Sequence, residues 1–319
     1  MRHAQQQIDE RTKLAGTNKF ELLLFRLGES PGSGQRELFG INVFKVREVL
    51  VMPAITELAN AHEHLMGVAN IRGQIIPVIN LPAVLGCKAP KGMSILMVTE
   101  FGRTVQAFAV EDVREIVRLE WDQVLPAENS HAGALITGIA RLDGATANTR
   151  LAQVLDVEQI LRTVMPVTTE EINREVVGPE LDWPPGTLLL AADDSAVARS
   201  VIELGLKAMG VPYIMTKTGK EAWERLQAVA DEAQAHGQTA KDKIAVVLTD
   251  LEMPEMDGFT LTRLIKQDSR FKSIPVVIHS SLTGATNENH VKSVGADAYV
   301  SKFSPRELAA TIRSVIETR

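Results

Sequence analysis

The sequence predicts two domains of different class: an all-β, barrel-like domain over residues 19–165 and an α/β domain with a five-stranded parallel sheet over residues 187–319. Three observations carry this. Short apolar stretches separated by turn residues, without helical periodicity, fill the first half. In the second half, continuous apolar runs alternate with segments of helical period, the pattern of a parallel sheet covered on both faces. Between them, residues 166–186 are polar and end in the helix-breaking run Pro184-Pro185-Gly186, which marks a linker.

In the first domain the expected strands are Phe20–Leu27, Leu38–Phe44, Ile75–Ile79, Ile95–Val98, Thr104–Val110 and Ala134–Ile139, with turns at Arg72-Gly73 and Asp143-Gly144. Asp156 precedes Val157, Ile160 and Leu161, a capped helix that closes the domain. A short amphipathic element carrying Ile172 and Val176 fits within the linker. In the second domain the strands are Leu188–Ala192, Tyr213–Met215, Ile244–Leu248, Pro275–Ile278 and Ala298–Val300. Val197, Val201, Leu204 and Ala208 are expected on one helical face, and Leu308, Ile312 and Val315 on another; a long helix follows Gly219.

Composition narrows the function. The chain has 319 residues, 45% hydrophobic and 23% charged, which suits two soluble domains of roughly 150 residues. A net charge of −6 with scattered basic residues disfavours nucleic-acid binding. Cys87 is the only cysteine, so neither an internal disulfide nor a cysteine-cluster metal site is expected. Met1–Gly16 lacks the apolar core of a signal peptide, and no stretch approaches the ~20 apolar residues of a bilayer span. The expectation is a cytoplasmic protein with no direct membrane insertion.

The chemistry lies where polar residues interrupt the apolar strands of the second domain. Asp193 and Asp194 follow its first strand, Asp250 the third, Ser280 the fourth and Lys302 the fifth. Ligands of open parallel sheets gather outside the carboxyl ends of the strands, so these residues should converge at one edge. Three adjacent carboxylates repel one another, and a hard divalent cation such as Mg2+ relieves that repulsion. A carboxylate can also act as a nucleophile and form an aspartyl-phosphate, with a cation, an ammonium and a hydroxyl sharing the phosphoryl charge. Asp193-Asp194-Ser195 alone would read as a helix cap; the coincidence at four strand ends, with Met253-Pro254 and Asp257-Gly258, favours the phosphoryl reading.

These residues resemble a response-regulator receiver domain: Ala192-Asp193-Asp194-Ser195, the run Asp250-Leu251-Glu252-Met253-Pro254-Glu255-Met256-Asp257-Gly258, Ser280, and Tyr299-Val300-Ser301-Lys302-Phe303. The resemblance implies a flavodoxin-like doubly wound fold with Asp250 as phosphoacceptor. It makes Asp194 a direct Mg2+ ligand, puts Asp193 in or near the second coordination shell, and has Glu252 contribute its backbone carbonyl. Lys302 would stabilise the phosphoryl group, while Ser280 and Tyr299 match the switch hydroxyl and its responding aromatic. Phe303 stands where receivers usually carry proline.

The first domain offers little chemistry of its own. Gly133–Gly138 has the spacing of a phosphate loop, but Ile139 follows where lysine is required. His62 and His64 read as a solvated surface pair, since no third ligand accompanies them. Phe39-Gly40-Ile41, Val46-Arg47-Glu48-Val49, the run from Gly67 to Leu81 and Val154–Leu161 instead resemble the CheW coupling domain. That resemblance implies two small SH3-like β-barrels and a role linking chemoreceptors to the histidine kinase CheA. Asn80 stands where the family commonly has Asp. Val68, Ile71, Ile75 and Val78 are expected in the core. At its hairpin tip Arg72 either forks onto a partner's carboxylate or pairs with groups of its own domain.

The joint architecture is similar to that of the CheV-type chemotaxis coupling proteins. It implies an adaptor between methyl-accepting chemoreceptors and CheA, regulated by phosphorylation at Asp250, recruited to membrane-bound receptor arrays and lacking a dedicated enzymatic activity. A phosphate sink that drains CheA is the alternative. A transcription regulator is disfavoured by the acidic charge and the absence of an output domain in the sequence.

Overall fold

The computed structural model describes residues 19–101, 104–126, 135–144, 146, 148–165, 172, 174–280, 294–302 and 304–318. Met1–Gly16, Gly133 and Phe303, each singled out in the sequence, lie outside them. The chain divides into two compact units near residue 168. Among the described residues no helix is long and apolar enough to cross a membrane.

The first unit is built from β1 (Phe20–Arg26), β2 (Leu38–Asn42), β3 (Val46–Val51), β4 (Leu65–Ile71), β5 (Gln74–Asn80), helix α1 (Leu81–Val84), β6 (Ile95–Phe101), β7 (Thr104–Val110), β8 (Asp112–Leu119), β9 (Val124–Pro126), β10 (Ile136–Arg141), β11 (Leu151–Leu155) and helix α2 (Val157–Val164). They form two sheets, ordered β8-β1-β2-β11-β10-β9 and β3-β6-β7-β5-β4. Each has its own core, one centred on Leu22, Leu24 and Val154, the other on Ile71, Val78, Leu96 and Ala109. The second sheet curls shut. Thr56, beyond β3 at one edge, exchanges backbone hydrogen bonds of 2.8 and 2.9 Å with Val68 of β4 at the other. Closure of this kind removes the exposed strand edges, and it gives this half of the expected double barrel its form.

One core expectation needs correcting. Ile71 and Val78 are buried, but Ile75 is 62% exposed and Val68 only half-buried. The hairpin register pairs Asn70 with Ile75 and Val68 with Pro77. These side chains therefore share the outer face, because neighbouring residues of a strand point to opposite sides. Ala69, Ile71, Ile76 and Val78 take the inner one.

The second unit contains helix α3 (Arg174–Val177), β12 (Leu188–Ala192), α4 (Ala196–Ala208), β13 (Tyr213–Thr216), α5 (Gly219–Ala235), β14 (Ile244–Thr249), α6 (Gly258–Gln267), β15 (Val276–Ser280), β16 (Ala298–Ser301) and α7 (Pro305–Glu317). All sheet pairings are parallel, in the order β13-β12-β14-β15-β16. One face packs on α4 and α7 through Leu189, Leu248, Ile202 and Ile312; the other packs on α5 and α6 through Leu190, Val247, Leu226 and Leu261. The five strands lie within a residue or two of their expected places. Helix α4 is rotated from its expected face: Val201 is buried but Leu204 is 52% exposed, and Ala198, Ile202, Gly205 and Leu206 face inward instead. The inward stripe is led by Ile202 and Leu206, which join the core beneath the sheet, with Ala198 and Gly205 alongside them.

Part of the stretch expected to link the domains is packed on this unit. Val177 is 4% exposed within the core that includes Leu206, Met209 and Ile312, and Ile172, Val176, Leu181 and Trp183 lie against it. Arg313 on α7 donates to the carbonyl oxygens of Val177, at 3.1 Å, and Pro179. The amphipathic element anticipated at Ile172 and Val176 is thus an apolar strap over α4 and α7.

Candidate functional site

The carboxyl ends of the parallel strands gather a cluster of charged residues, Asp193, Asp194, Asp250 and Lys302. Ala192 pairs with Thr249 and Thr249 with Ile278, so the next residue of each strand, Asp193, Asp250 and His279, stands in one row. The loop after β12 is held by Arg199 of α4, whose Nη1 donates to the carbonyl oxygens of Asp193 at 2.8 Å and Asp194 at 2.7 Å. Ser195 caps α4 by accepting from the Ala198 amide. The capping reading of this tripeptide therefore holds for Ser195 alone, and it leaves both aspartates for the site.

The loop after β14 turns sharply into α6. Asp257 caps that helix, and a Cβ on Gly258 would stand 2.0 Å from the Asp250 carbonyl oxygen, so only glycine fits. Asp193 and Asp250 are buried and Asp194 is exposed; one carboxylate oxygen from each lies within 4.8 Å of the others. Between the two buried acids sits the Lys302 ammonium, 2.8 Å from Asp250 Oδ2 and 3.0 Å from Asp193 Oδ2. Asp250 Oδ1 accepts from the Leu251 amide at 2.7 Å, and Asp193 Oδ1 from the Ser195 amide at 3.0 Å.

The two buried acids titrate in opposite directions. Burial pushes the Asp250 carboxyl well above the usual carboxylate range; Lys302 opposes this, while the charges of Asp193 and Asp194 add to it. Burial also acts on Asp193, but Lys302 and then His279 outweigh it and hold that carboxyl below its ordinary value. Three carboxylates against one ammonium leave net negative charge in a largely dry pocket. That donor set suits a hard divalent cation, which takes carboxylate oxygens readily and keeps several waters.

Ser280 ends β15 fully buried, and its carbonyl accepts from the Lys302 amide at 2.9 Å, tying the two strand ends together. Tyr299 is half-buried on β16 opposite Ile278. Glu252 is half-buried in the loop after Asp250. Two residues of the pocket were missed in the sequence, Arg199 and His279. His279 is 2% exposed with Nδ1 3.9 Å from Asp193 Oδ2. Its position directly before Ser280 was the only available signal, and the apolar strand around it hid that signal.

In the first unit Arg72 and Gly73 form the β4–β5 turn with φ of 52° and 87°, and the Gly73 amide donates to Asn70 Oδ1 at 2.9 Å. The Arg72 guanidinium donates to Glu48 Oε2 of β3 at 2.7 Å. Of the two uses open to it, the structure shows the intradomain one. Asn80 caps α1 through the Ala83 amide at 3.0 Å, a task that an amide oxygen performs as well as a carboxylate. His62 and His64 lie with ring centroids 5.3 Å apart; neither belongs to the acidic cluster, which is the only group of potential metal ligands among the described residues.

Residues 21–165 match the model of the CheW-like domain, and residues 189–313 that of the response regulator receiver domain. The chain is 28% identical over 308 residues to the chemotaxis protein CheV3 of Helicobacter pylori, covering 94% of this chain and 96% of that one. It is 28% identical to CheV1 of the same organism, covering 97% of each. Its first half is 31% identical over 159 residues to the chemotaxis protein CheW of Klebsiella aerogenes, covering 47% of this chain and 87% of that one.

Proposed function

Since the chain belongs by its two halves to the CheW-like and receiver domain families, joined as in the CheV proteins, we propose that it is a chemotaxis coupling adaptor whose activity is set by phosphorylation of Asp250. The observation that carries the phosphorylation is the buried Asp193–Lys302–Asp250 arrangement with Asp194 at its rim. Asp194, Asp250 and the backbone carbonyl of Glu252 would hold Mg2+, with Asp193 behind them. The cation would neutralise charge on the transferring phosphoryl oxygens.

The chain's own groups do the rest. A carboxylate oxygen of Asp250 attacks phosphorus of a phosphohistidine as the P–N bond breaks, and the histidine leaves with the bonding pair. The Lys302 ammonium, already on Asp250 Oδ2, moves its contact to a phosphoryl oxygen. The Ser280 hydroxyl is then drawn toward the new acceptor, and Tyr299 follows into the space it leaves. After the transfer, the movements of Lys302, Ser280 and Tyr299 are changes of position, so the output is altered coupling.

The partners that fit are the kinase CheA, as phosphodonor and as the protein coupled, and methyl-accepting chemoreceptors. The location that follows is the cytoplasmic face of receptor arrays. Drainage of phosphoryl groups from CheA as the main role draws no support from a complete coupling domain. The test is reconstitution with receptors and CheA: the full chain should sustain kinase activation, and beryllofluoride with Mg2+ should change it. If the chain drains phosphate but never affects activation, the adaptor reading fails.

A further inference from the structure

The acid pocket contains an imidazole that the phosphoryl chemistry has not used. His279 is enclosed at the end of β15, 2% exposed, on the strand next to that of Asp250 and two strands from that of Asp193. It belongs to the row Asp193–Asp250–His279, and so points toward the same side of the sheet as the acids. That side is otherwise apolar: Ala191, Leu248 and Val277, one row back, lie in the core under α4 and α7. A valine or isoleucine in place of His279 would continue this column, so hydrophobic burial does not explain an imidazole there.

The contacts of Asp193 supply a reason. Its Oδ1 accepts from the Ser195 amide at 3.0 Å, and its carbonyl is held by Arg199 at 2.8 Å. Its Oδ2 faces Lys302 Nζ at 3.0 Å and His279 Nδ1 at 3.9 Å. The imidazole contact is longer than a hydrogen bond, yet in this dry setting the ring dipole still acts on the carboxylate. Lys302 cannot fix Asp193 by itself, because the same ammonium is shared with Asp250 and transfers to the phosphoryl group during reaction. The rigid ring of His279, anchored in a strand, stays where it is.

We propose that His279 is a positioning residue for the cation site: it holds the Asp193 carboxylate in place from behind, so that the site keeps its geometry when Lys302 turns to the phosphoryl group. This inference rests on the proposed Mg2+-dependent phosphorylation of Asp250. Groups behind metal-binding carboxylates characteristically change metal affinity by about 10- to 100-fold when removed.

The experiment is a calorimetric titration of the full chain with Mg2+ alone, comparing wild type, His279→Val and His279→Asn. Valine suits a buried strand and removes the dipole; asparagine restores a polar nitrogen near the Nδ1 position. Thermal melting in EDTA checks that each variant folds. The expected result is about a tenfold weaker Mg2+ affinity for His279→Val and recovery of most of it in His279→Asn. Equal affinity in wild type and His279→Val overturns the proposal while leaving the phosphorylation reading standing. Equal loss in both variants also overturns it, because it assigns His279 to packing only. A wild type that binds no Mg2+ removes the reading on which the inference rests, and the inference with it.

Discussion

Arg72 Nη2 donates to Glu48 Oε2 at 2.7 Å, joining the tip of the β4–β5 hairpin to β3 across the closing sheet. The partners differ in setting: the Arg72 side chain is 75% exposed and that of Glu48 only 5%. Removing Arg72 therefore leaves a buried carboxylate without its cation, whereas removing Glu48 releases an arginine that water solvates readily. Solvent screening on the arginine side keeps the coupling to about 0.5–1 kcal/mol. Arg72→Ala is expected to destabilise the first unit more than Glu48→Gln, and the double variant to recover part of the loss. A urea-denaturation double-mutant cycle measures this, and a coupling energy of zero would make the pair incidental.

Asp250→Asn is expected to stabilise the metal-free second unit at neutral pH. The Asp250 pKa is raised in the folded state. The stability it contributes is therefore present below the unfolded carboxylate pKa and lost as pH rises through the folded value. The variant escapes that loss and leaves Lys302 balanced by Asp193, a gain on the order of 1–2 kcal/mol near pH 7. It should also lose any rise in melting temperature on adding Mg2+ and any phosphorylation by a small phosphodonor. Thermal melts with and without Mg2+ check both parts; phosphate retained by the variant would remove Asp250 from its role.

Asp193 shifts the other way, and its pH dependence has the opposite sign. Its folded pKa is lowered, so its contribution is present above the unfolded pKa and disappears as pH falls through the folded one. Asp193→Asn is thus expected to cost stability at neutral pH and progressively less in acid. Denaturation midpoints at neutral and acidic pH compare the two aspartate variants directly.

Ser280→Ala is expected to leave phosphorylation measurable while blunting its effect on kinase coupling. Phosphorylation adds negative charge and strong acceptors beside the serine, and the variant has no hydroxyl to answer them. A reconstituted receptor–kinase assay with and without beryllofluoride reads the difference. An undiminished response in the variant would mean that the signal leaves the second unit by another route.

Val177→Ala is expected to destabilise the second unit by about 1–2 kcal/mol, because two buried carbons are lost from a packed cluster. A fragment starting at Ile172 should accordingly unfold at higher temperature than one starting at Thr187. Equal melting temperatures would show that the strap seen over α4 and α7 contributes nothing to stability.

Much of this protein was legible in its residues. The turn pair Arg72-Gly73, the cap at Asp156 and the five apolar runs of the second unit are local signals, and local periodicity locates such elements well. The acidic pocket could be read for the same reason: a parallel sheet places every strand's carboxyl end on one edge, so Asp193, Asp250 and Lys302 had to meet there. Other features depend on register and closure, which a single segment does not carry. A shift of one residue in pairing reverses which side chains face inward. The exposure of Ile75, the turn of Leu204 to solvent and the place of His279 in the acid row were therefore decided only when distant segments packed. The bond between Thr56 and Val68 and the strap at Val177 belong to the same class. In each, two stretches that share no pattern along the chain are brought together by apolar surface that neither can bury alone.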